Sequence, residues 1–137
     1  MVIIFARICK FFLDLGASPG GWSQVASNHI KNGKILSVDI ADMSPIQNTN
    51  FLKGDFINLE TQNNILRFFN RKIDIVVSDM APNTTGNKSI DFLRIGELCL
   101  SALYFSTDIQ EHPEIFLRWK HLNIGGKFAS YVLNLIV

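Results

Sequence analysis

Apolar positions follow two different spacings along the chain. Short runs that are continuously apolar or rich in β-branched residues predict strands buried on both faces of a sheet. These predicted strands are residues 11–15, 34–39, 51–55, 73–78 and 127–133. Apolar residues at helical spacing predict three helices at residues 22–30, 61–69 and 91–107. Glycines at positions 125 and 126 and the segment 110–113 are typical of turns.

Strands that alternate with helices predict parallel βαβ units and a doubly wound, mostly parallel α/β sheet. A length of 137 residues, with 47% apolar and 18% charged residues, predicts one globular domain over residues 1–137. Right-handed crossovers place a ligand at the carboxyl ends of the strands in such a sheet. The strand at residues 127–133 is expected to be the last of the sheet.

Composition excludes several functional classes. The formal net charge of +1 lacks the basic excess common in free-standing nucleic-acid binders. Cys9 and Cys99 lie far apart and are expected to be buried thiols, and the scattered histidines predict no metal site. Arg7 and Lys10 interrupt the apolar start, so it predicts neither a membrane span nor a secretory signal. We expect a cytoplasmic protein, or a mitochondrial one if a leader precedes this chain.

A glycine-rich segment, Asp-Leu-Gly-Ala-Ser-Pro-Gly-Gly-Trp, spans residues 14–22 and begins at the end of the first predicted strand. Glycines allow a backbone to approach a ligand closely. The spacing is not the one that dinucleotide enzymes use for pyrophosphate, which disfavours a nicotinamide-dependent dehydrogenase. Asp14 suits a cationic amino group and repels a phosphate. The alternative interpretation is a plain turn between strand and helix.

Three carboxylates follow the ends of other predicted strands. Asp39 suits ribose hydroxyls, and Asp55 suits an adenine amino group while the ring of Phe56 packs on the base. Asp79 begins Asp-Met-Ala-Pro-Asn, which lacks the Pro-Pro-aromatic pattern of amino-group methylases and so points away from a base nitrogen as acceptor. Each acid taken alone is equally typical of a turn.

Together these motifs are similar to those of the FtsJ/RrmJ family of large-subunit ribosomal RNA 2′-O-methyltransferases. The resemblance implies a Rossmann-like methyltransferase fold, S-adenosylmethionine as cofactor, and a uridine 2′-hydroxyl of ribosomal RNA as acceptor. It implies the following cofactor-binding residues: Gly20, Trp22, Asp39, Asp55 and Asp79. Asp79 also matches the aspartate of the family's Lys-Asp-Lys-Glu catalytic set.

The chain departs from that family in its catalytic residues. The family's first lysine lies upstream of the first strand, where Lys10 is too close to replace it. Aligning the glycines at positions 125 and 126 puts Tyr131 at the position of the proton-accepting lysine. The chain ends at Val137, before the strands that carry the family's glutamate, and about a dozen extra residues separate the last helix from the last strand. A cofactor-binding remnant without catalysis is therefore the alternative.

Several cations are candidates for contacts with RNA phosphates. They are Lys53, Lys72, Lys88, Arg94 and Lys120. Lys88 and Arg94 are favoured because they follow the Asp79 segment at the mouth of the expected crevice. Scattered solvated lysines are the alternative interpretation.

Overall fold

A computed structural model describes the backbone at residues 9–109, 116–124 and 127–134, and the side chains at residues 9–109. The strands are β1 (Phe11–Leu15), β2 (Lys34–Asp39), β3 (Thr49–Lys53), β4 (Ile75–Ser78), β5 (Phe116–Ile124) and β6 (Lys127–Asn134). The helices are α1 (Gly21–His29), α2 (Leu59–Phe69) and α3 (Lys88–Ile109). None of these helices is both long and apolar enough to cross a bilayer.

The described strands form one sheet in the order β3-β2-β1-β4-β5-β6. Strands β1 to β5 all run parallel to one another, and β6 pairs antiparallel with β5. Leu13 of β1 faces Leu36 of β2 on one side and Val76 of β4 on the other. The chain therefore reverses its direction of progress across the sheet at β1. Such a reversal leaves a crevice at the carboxyl ends of the strands, because the crossovers on either side of β1 diverge there.

Alternate side chains of β1 enter two separate apolar cores. Leu13 and Leu15 pack with residues of α2 and α3 on one face, and Phe12 packs with Ala26 of α1 on the other. All four are essentially inaccessible to solvent. The doubly wound architecture expected from the sequence is confirmed, since both faces of the sheet are covered by helices.

The region after α3 departs from expectation. β5 pairs with β4 at Val76↔Phe116 and lies in a segment that the sequence interpretation treated as extra residues without a strand. The absence of a predicted strand here was wrong: Arg118, Lys120 and His121 break the apolar run that would have indicated one. β6 is the outer strand of the described sheet, as expected. The predicted turns at 110–113 and 125–126 lie outside the described residues.

The two cysteines differ from each other. Cys9 is buried beside β1, and burial raises the pKa of its thiol to about 12, which makes it unreactive. Cys99 lies on α3 and is only half-buried, so the expectation that both thiols are buried was wrong for this one. The α3 helix has a mostly exposed first half, and its buried contacts begin near Ala102.

Candidate functional site

A cleft of about 480 Å³ opens at the carboxyl ends of the central strands. The loops after β1, β2, β3 and β4 all contribute to its walls, including Gly16, Asp39, Asp55 and Asp79. This volume lies in the range of small-molecule sites. The three acids that the sequence placed at separate strand ends are thus brought together in one crevice.

Two glycines shape the loop after β1. Gly16 has a φ of 76°, and a Cβ atom there would lie 2.7 Å from the backbone nitrogen of Met80. Gly20 has a φ of 118°, and its Cβ would lie 2.7 Å from Cδ1 of Ile46. Both positions require glycine, because a side chain would meet a left-handed backbone and a neighbouring atom at once. The loop is therefore pressed against the chain after β4 on one side and the β2–β3 connection on the other.

Asp39 ties the end of β2 to this loop. Its Oδ2 accepts a hydrogen bond from the backbone N–H of Ser18 at 2.9 Å, and its Oδ1 accepts one from Ala41 at 2.8 Å. The side chain is half-buried and lines the cleft. A carboxylate oxygen has a second lone pair, so the same group remains able to accept from a ligand hydroxyl.

Asp55 and Phe56 both line the cleft, but they differ in their exposure to solvent. Asp55 is exposed in the cleft, and its Oδ1 accepts from the backbone N–H of Ile57 at 3.0 Å. Phe56 is only 3% exposed, and its ring packs edge-on against Phe105 with centroids 5.2 Å apart. The ring belongs to the core, but Phe56 also lines the cleft, so its contact with a base stays a prediction. The large exposed apolar side chains of the cleft are Ile40 and Ile57, at 63% and 59%.

Asp79 follows β4 directly and is exposed at the cleft. Its backbone N–H donates to the carbonyl of Leu15 at 2.9 Å, which continues the β1–β4 pairing by one residue. Gly20 and Trp22 are not among the cleft walls in the described part of the chain. Trp22 instead packs, half-buried, against the core cluster that contains Phe12. Any contact of these two residues with a ligand stays a prediction.

Beneath the cleft, Asp14 is completely buried at the middle of the sheet. Its Oδ2 accepts from Oγ of Ser23 at 2.6 Å, and Ser23 Oγ lies 2.5 Å from Oγ of Ser37. Burial raises the pKa of Asp14 to about 6, while the hydrogen bonds from Ser23 lower it in part. The sequence interpretation did not use Ser23 or Ser37. The available signal was a hydroxyl in the otherwise apolar strand at residues 34–38.

The segment after Asp79 is anchored on the first turn of α3. Oδ1 of Asp91 accepts from both the backbone N–H and the Oγ1 of Thr85, each at 2.7 Å, and these bonds lower the pKa of Asp91. Oδ1 of Asn87 accepts from the backbone N–H groups of Ser89 and Ile90, as an N-cap does. The polar loop next to the cleft therefore has a defined position relative to α3.

The candidate cations divide between the two ends of the sheet. Lys53 is paired with Asp42 at 2.7 Å, and Lys72 donates to the carbonyl of Asp108 at the far end of α3. Both contacts lie at the exposed surface, so a contact of either lysine with RNA phosphates stays a prediction. Lys88 and Arg94 are exposed on α3, after the polar loop, and stay the preferred candidates.

The positions expected to carry proton transfer are only partly described. Tyr131 lies in β6 opposite Lys120 of β5, and the side chains of both strands lie outside the described residues. Lys10 precedes the first residue of β1, at the edge opposite the cleft, and its exclusion from the catalytic set stays a prediction. No three His, Cys, Asp or Glu side chains within the described residues gather as metal ligands do.

Comparison with known proteins places the whole described sheet in one family. The sequence model of the FtsJ-like methyltransferases matches residues 4–134. The chain is 50% identical to the ribosomal RNA large subunit methyltransferase E of Pelagibacter ubique over 88% of this chain and 58% of that protein. Identity is also 50% with the protein of the same name from Buchnera aphidicola, over 77% of this chain and 52% of that one. The chain thus spans about half the length of the curated relatives it matches.

Solved structures agree on the fold. A Plasmodium falciparum protein described as a ribosomal RNA methyltransferase superposes with a TM-score of 0.71 at 28% identity, over 90% of this chain and 71% of that one. An Agrobacterium tumefaciens protein described as a SAM-dependent methyltransferase superposes with a TM-score of 0.54 at 14% identity, over 88% of this chain and 41% of that one. The second likeness concerns the fold alone. The architecture is the Rossmann-like methyltransferase fold.

Proposed function

The chain belongs to the FtsJ-like methyltransferase family, and from this membership we propose that it methylates the 2′-hydroxyl of a uridine ribose in large-subunit ribosomal RNA, with S-adenosylmethionine as donor. The observation that carries the proposal is the convergence of Asp39, Asp55 and Asp79 on one cleft beneath a glycine-rich loop. The relatives named ribosomal RNA large subunit methyltransferase E supply the acceptor. The proposed location is the cytoplasm, where the large ribosomal subunit or its RNA is the partner.

The residues of the cleft fit this cofactor by their chemistry. Asp39 presents carboxylate lone pairs to ribose hydroxyls, and Asp55 presents an acceptor to the adenine amino group. Ile40 and Ile57 offer exposed aliphatic surface to the faces of the base. The cofactor carries a sulfonium and an ammonium group, and the cluster of carboxylates around the cleft attracts both charges. Contacts of Gly20 and Trp22 with the cofactor are proposed from the family motif alone.

The acceptor side of the reaction falls to Asp79 and the residues after it. When bound, S-adenosylmethionine supplies a methyl group that is transferred to an oxygen nucleophile. Asp79 orients the ribose hydroxyl at the carboxyl end of β4, and Lys88 and Arg94 hold flanking phosphates of the RNA. The hydroxyl must lose its proton as the new C–O bond forms, so the rate depends on a proton acceptor near Asp79.

The remnant hypothesis predicts cofactor binding without transfer. The relatives that match this chain at about half identity are named as methyltransferases, which favours catalysis. Tyr131 at the lysine position lowers the expected rate, because a phenol with an ordinary pKa near 10 lacks the charge of a lysine. We therefore propose a slow enzyme.

Two measurements test the proposal. Calorimetry should show binding of S-adenosylmethionine and none of NAD, and Asp39→Ala should weaken that binding by roughly 1–3 kcal/mol because a buried polar contact is lost. Asp108→Ala, an exposed acid at the far end of α3, is the matched control and should leave the affinity unchanged. Equal affinity in wild type and Asp39→Ala would contradict the cofactor assignment.

The second measurement is transfer of a labelled methyl group to a transcript of large-subunit ribosomal RNA, with the same transcript methylated beforehand at 2′-oxygens as control. Label on the ribose of a uridine supports the acceptor assignment. Label on a base, or none above the level of an Asp79→Ala variant, overturns it.

A further inference from the structure

Only one of the two carboxyl oxygens of the buried Asp14 accepts a hydrogen bond within the described residues. Oδ2 accepts from Ser23, whereas Oδ1 is inaccessible to solvent and has no hydrogen-bond partner within the described residues. A buried carboxylate oxygen without a partner is strongly unfavourable when ionised. Protonation removes the charge on the carboxyl group, and the approach of a positive charge offsets it.

The direction of the hydrogen bonds around Asp14 follows from donor counting. Ser23 has a single O–H, and it donates to Asp14 Oδ2. The contact of 2.5 Å between Ser23 and Ser37 must therefore use the hydroxyl of Ser37 as donor. The chain Ser37→Ser23→Asp14 joins β2, the first turn of α1 and β1. A carboxylate at the amino end of α1 also complements the positive end of the helix dipole. The charge on Asp14 therefore acts, by way of Ser23, on the first turn of α1, which follows Gly20.

The charged groups that face Asp14 come from the two neighbouring strands. They are Asp39 at the end of β2 and Asp79 after β4, and both disfavour ionisation of Asp14. From α1 it faces the neutral Ser23, and from within β2 the neutral Ser37. The surroundings therefore hold two carboxylates, the hydroxyls of Ser23 and Ser37, and the backbone N–H of Ser23, which also lowers the pKa of Asp14.

We propose that cofactor binding by this chain is coupled to the ionisation of Asp14: the side chain holds a proton on Oδ1 while the cleft is empty, and releases it to solvent when a cationic ligand occupies the cleft. The inference rests on the proposed function for the identity of that ligand. Asp14 is a positioning residue, because it lies below the cleft walls and acts through Ser23 on the glycine-rich loop. The raised pKa of about 6 places the coupling in mildly acidic solution.

The coupling predicts a specific pH profile. If the bound cation returns the pKa of Asp14 from about 6 toward its ordinary 3.8, affinity for S-adenosylmethionine should rise about tenfold between pH 5 and pH 8. Calorimetry of the full chain in two buffers of different ionisation enthalpy should show protons released on binding near pH 5, and almost none at pH 8.

Three variants separate this coupling from a purely structural role. Asp14→Asn keeps an acceptor for Ser23 and should bind at pH 8 about as weakly as wild type does at pH 5, with a flat profile. Ser23→Ala removes a hydrogen bond to the ionised form and should move the midpoint of the profile upward by about one pH unit. Ser106→Ala, a fully buried serine that bonds only within α3, should leave the midpoint unchanged.

Failure of the coupling can be distinguished from failure of the proposed cofactor assignment. Binding that is equally tight at pH 5 and pH 8 in wild type overturns the coupling and leaves the proposed cofactor intact. A profile that persists in Asp14→Asn also overturns it, since Asp39 and Asp79 remain in that variant. Absence of binding at every pH overturns the coupling and the cofactor assignment together.

Discussion

The two ends of the sheet have opposite electrostatic character. At the amino end, lysine ammonium groups donate to carbonyls in the last turns of all three described helices: Lys31 to Ser27, Lys34 to Phe68 and Lys72 to Asp108. These cations complement the negative ends of the helix dipoles. At the carboxyl end, the carboxylates of Asp14, Asp39 and Asp79 cluster around a cleft.

The charges at the amino end contribute to stability, whereas those at the carboxyl end are suited to binding a ligand. Charges at the amino end meet partners of opposite sign and stabilise the folded chain. At the carboxyl end, the carboxylates of Asp39 and Asp79 disfavour the charge on Asp14, and one oxygen of Asp14 has no hydrogen-bond partner within the described residues. A cluster of carboxylates that repel one another suits a ligand of opposite charge, and such electrostatically unfavourable clusters are common at binding sites.

Adding a cation at the acidic end should have the largest effect. Tyr131→Lys places an ammonium group at the position that the family motif gives to its lysine, and general-base assistance is worth about 10²–10⁴ in rate. We expect methylation of ribosomal RNA to rise by about that factor, with cofactor affinity unchanged.

Tyr104→Lys is the matched control, because Tyr104 lies 68% exposed on α3 and matches no catalytic residue of the family motif. A rate that stays constant in Tyr131→Lys, or that rises equally in both variants, contradicts the alignment of Tyr131 with the lysine. Initial rates with a saturating transcript provide the measurement.

The tight backbone at the acidic end should be intolerant of a single methyl group. Gly16→Ala puts a Cβ atom 2.7 Å from Met80 N at a positive φ, so we expect a loss of about 3 kcal/mol or more in unfolding free energy. Gly96→Ala, in α3 with nothing within 4 Å of the new atom, should instead stabilise by about 0.5–1 kcal/mol. Urea unfolding followed by circular dichroism measures both, and a Gly16→Ala variant as stable as wild type would refute the close packing of this loop.

The stability of the empty chain should depend on pH through Asp14. Its pKa is raised in the folded state, so the folded chain holds a proton that the unfolded chain has lost between about pH 4 and pH 6, and wild type loses stability as pH rises through that window. A rise from 3.8 to about 6 corresponds to at most about 3 kcal/mol.

Asp14→Asn removes this loss. The variant should therefore be more stable than wild type at pH 8 and should lose that advantage at pH 4, in the absence of cofactor. Thermal unfolding at both values checks the sign. A variant less stable than wild type at pH 8 would show that the ionised carboxylate stabilises the loop more than its burial disfavours it.

Removing a cation from the basic end should have the smallest effect. Lys34→Ala deletes the donor to the carbonyl of Phe68 and a cation 5.3 Å from its ring, for a loss of about 0.5–1 kcal/mol in stability. Cofactor affinity should not change, because Lys34 lies at the start of β2, opposite the cleft. A weakened affinity would mean that the two ends of the sheet are energetically coupled.

Local patterning by itself determined most of the secondary structure and the location of the candidate cleft. Continuous apolar runs identified β1, β2, the core of β4 and the strand at β6, since burial on both faces requires such runs. The glycine-rich loop and the acids at strand ends identified the carboxyl edge, because parallel strands bring those ends together.

Only the tertiary structure decided which partner each polar or aromatic group meets. Asp39 bonds to Ser18, Asp14 reaches Ser37 through Ser23, and Phe56 turns into the core beside Phe105. It also decided that residues 116–124 form β5, although their mixed composition does not mark a strand. These contacts join residues far apart in the chain, and their energies depend on burial and on distances that local sequence spacing does not encode.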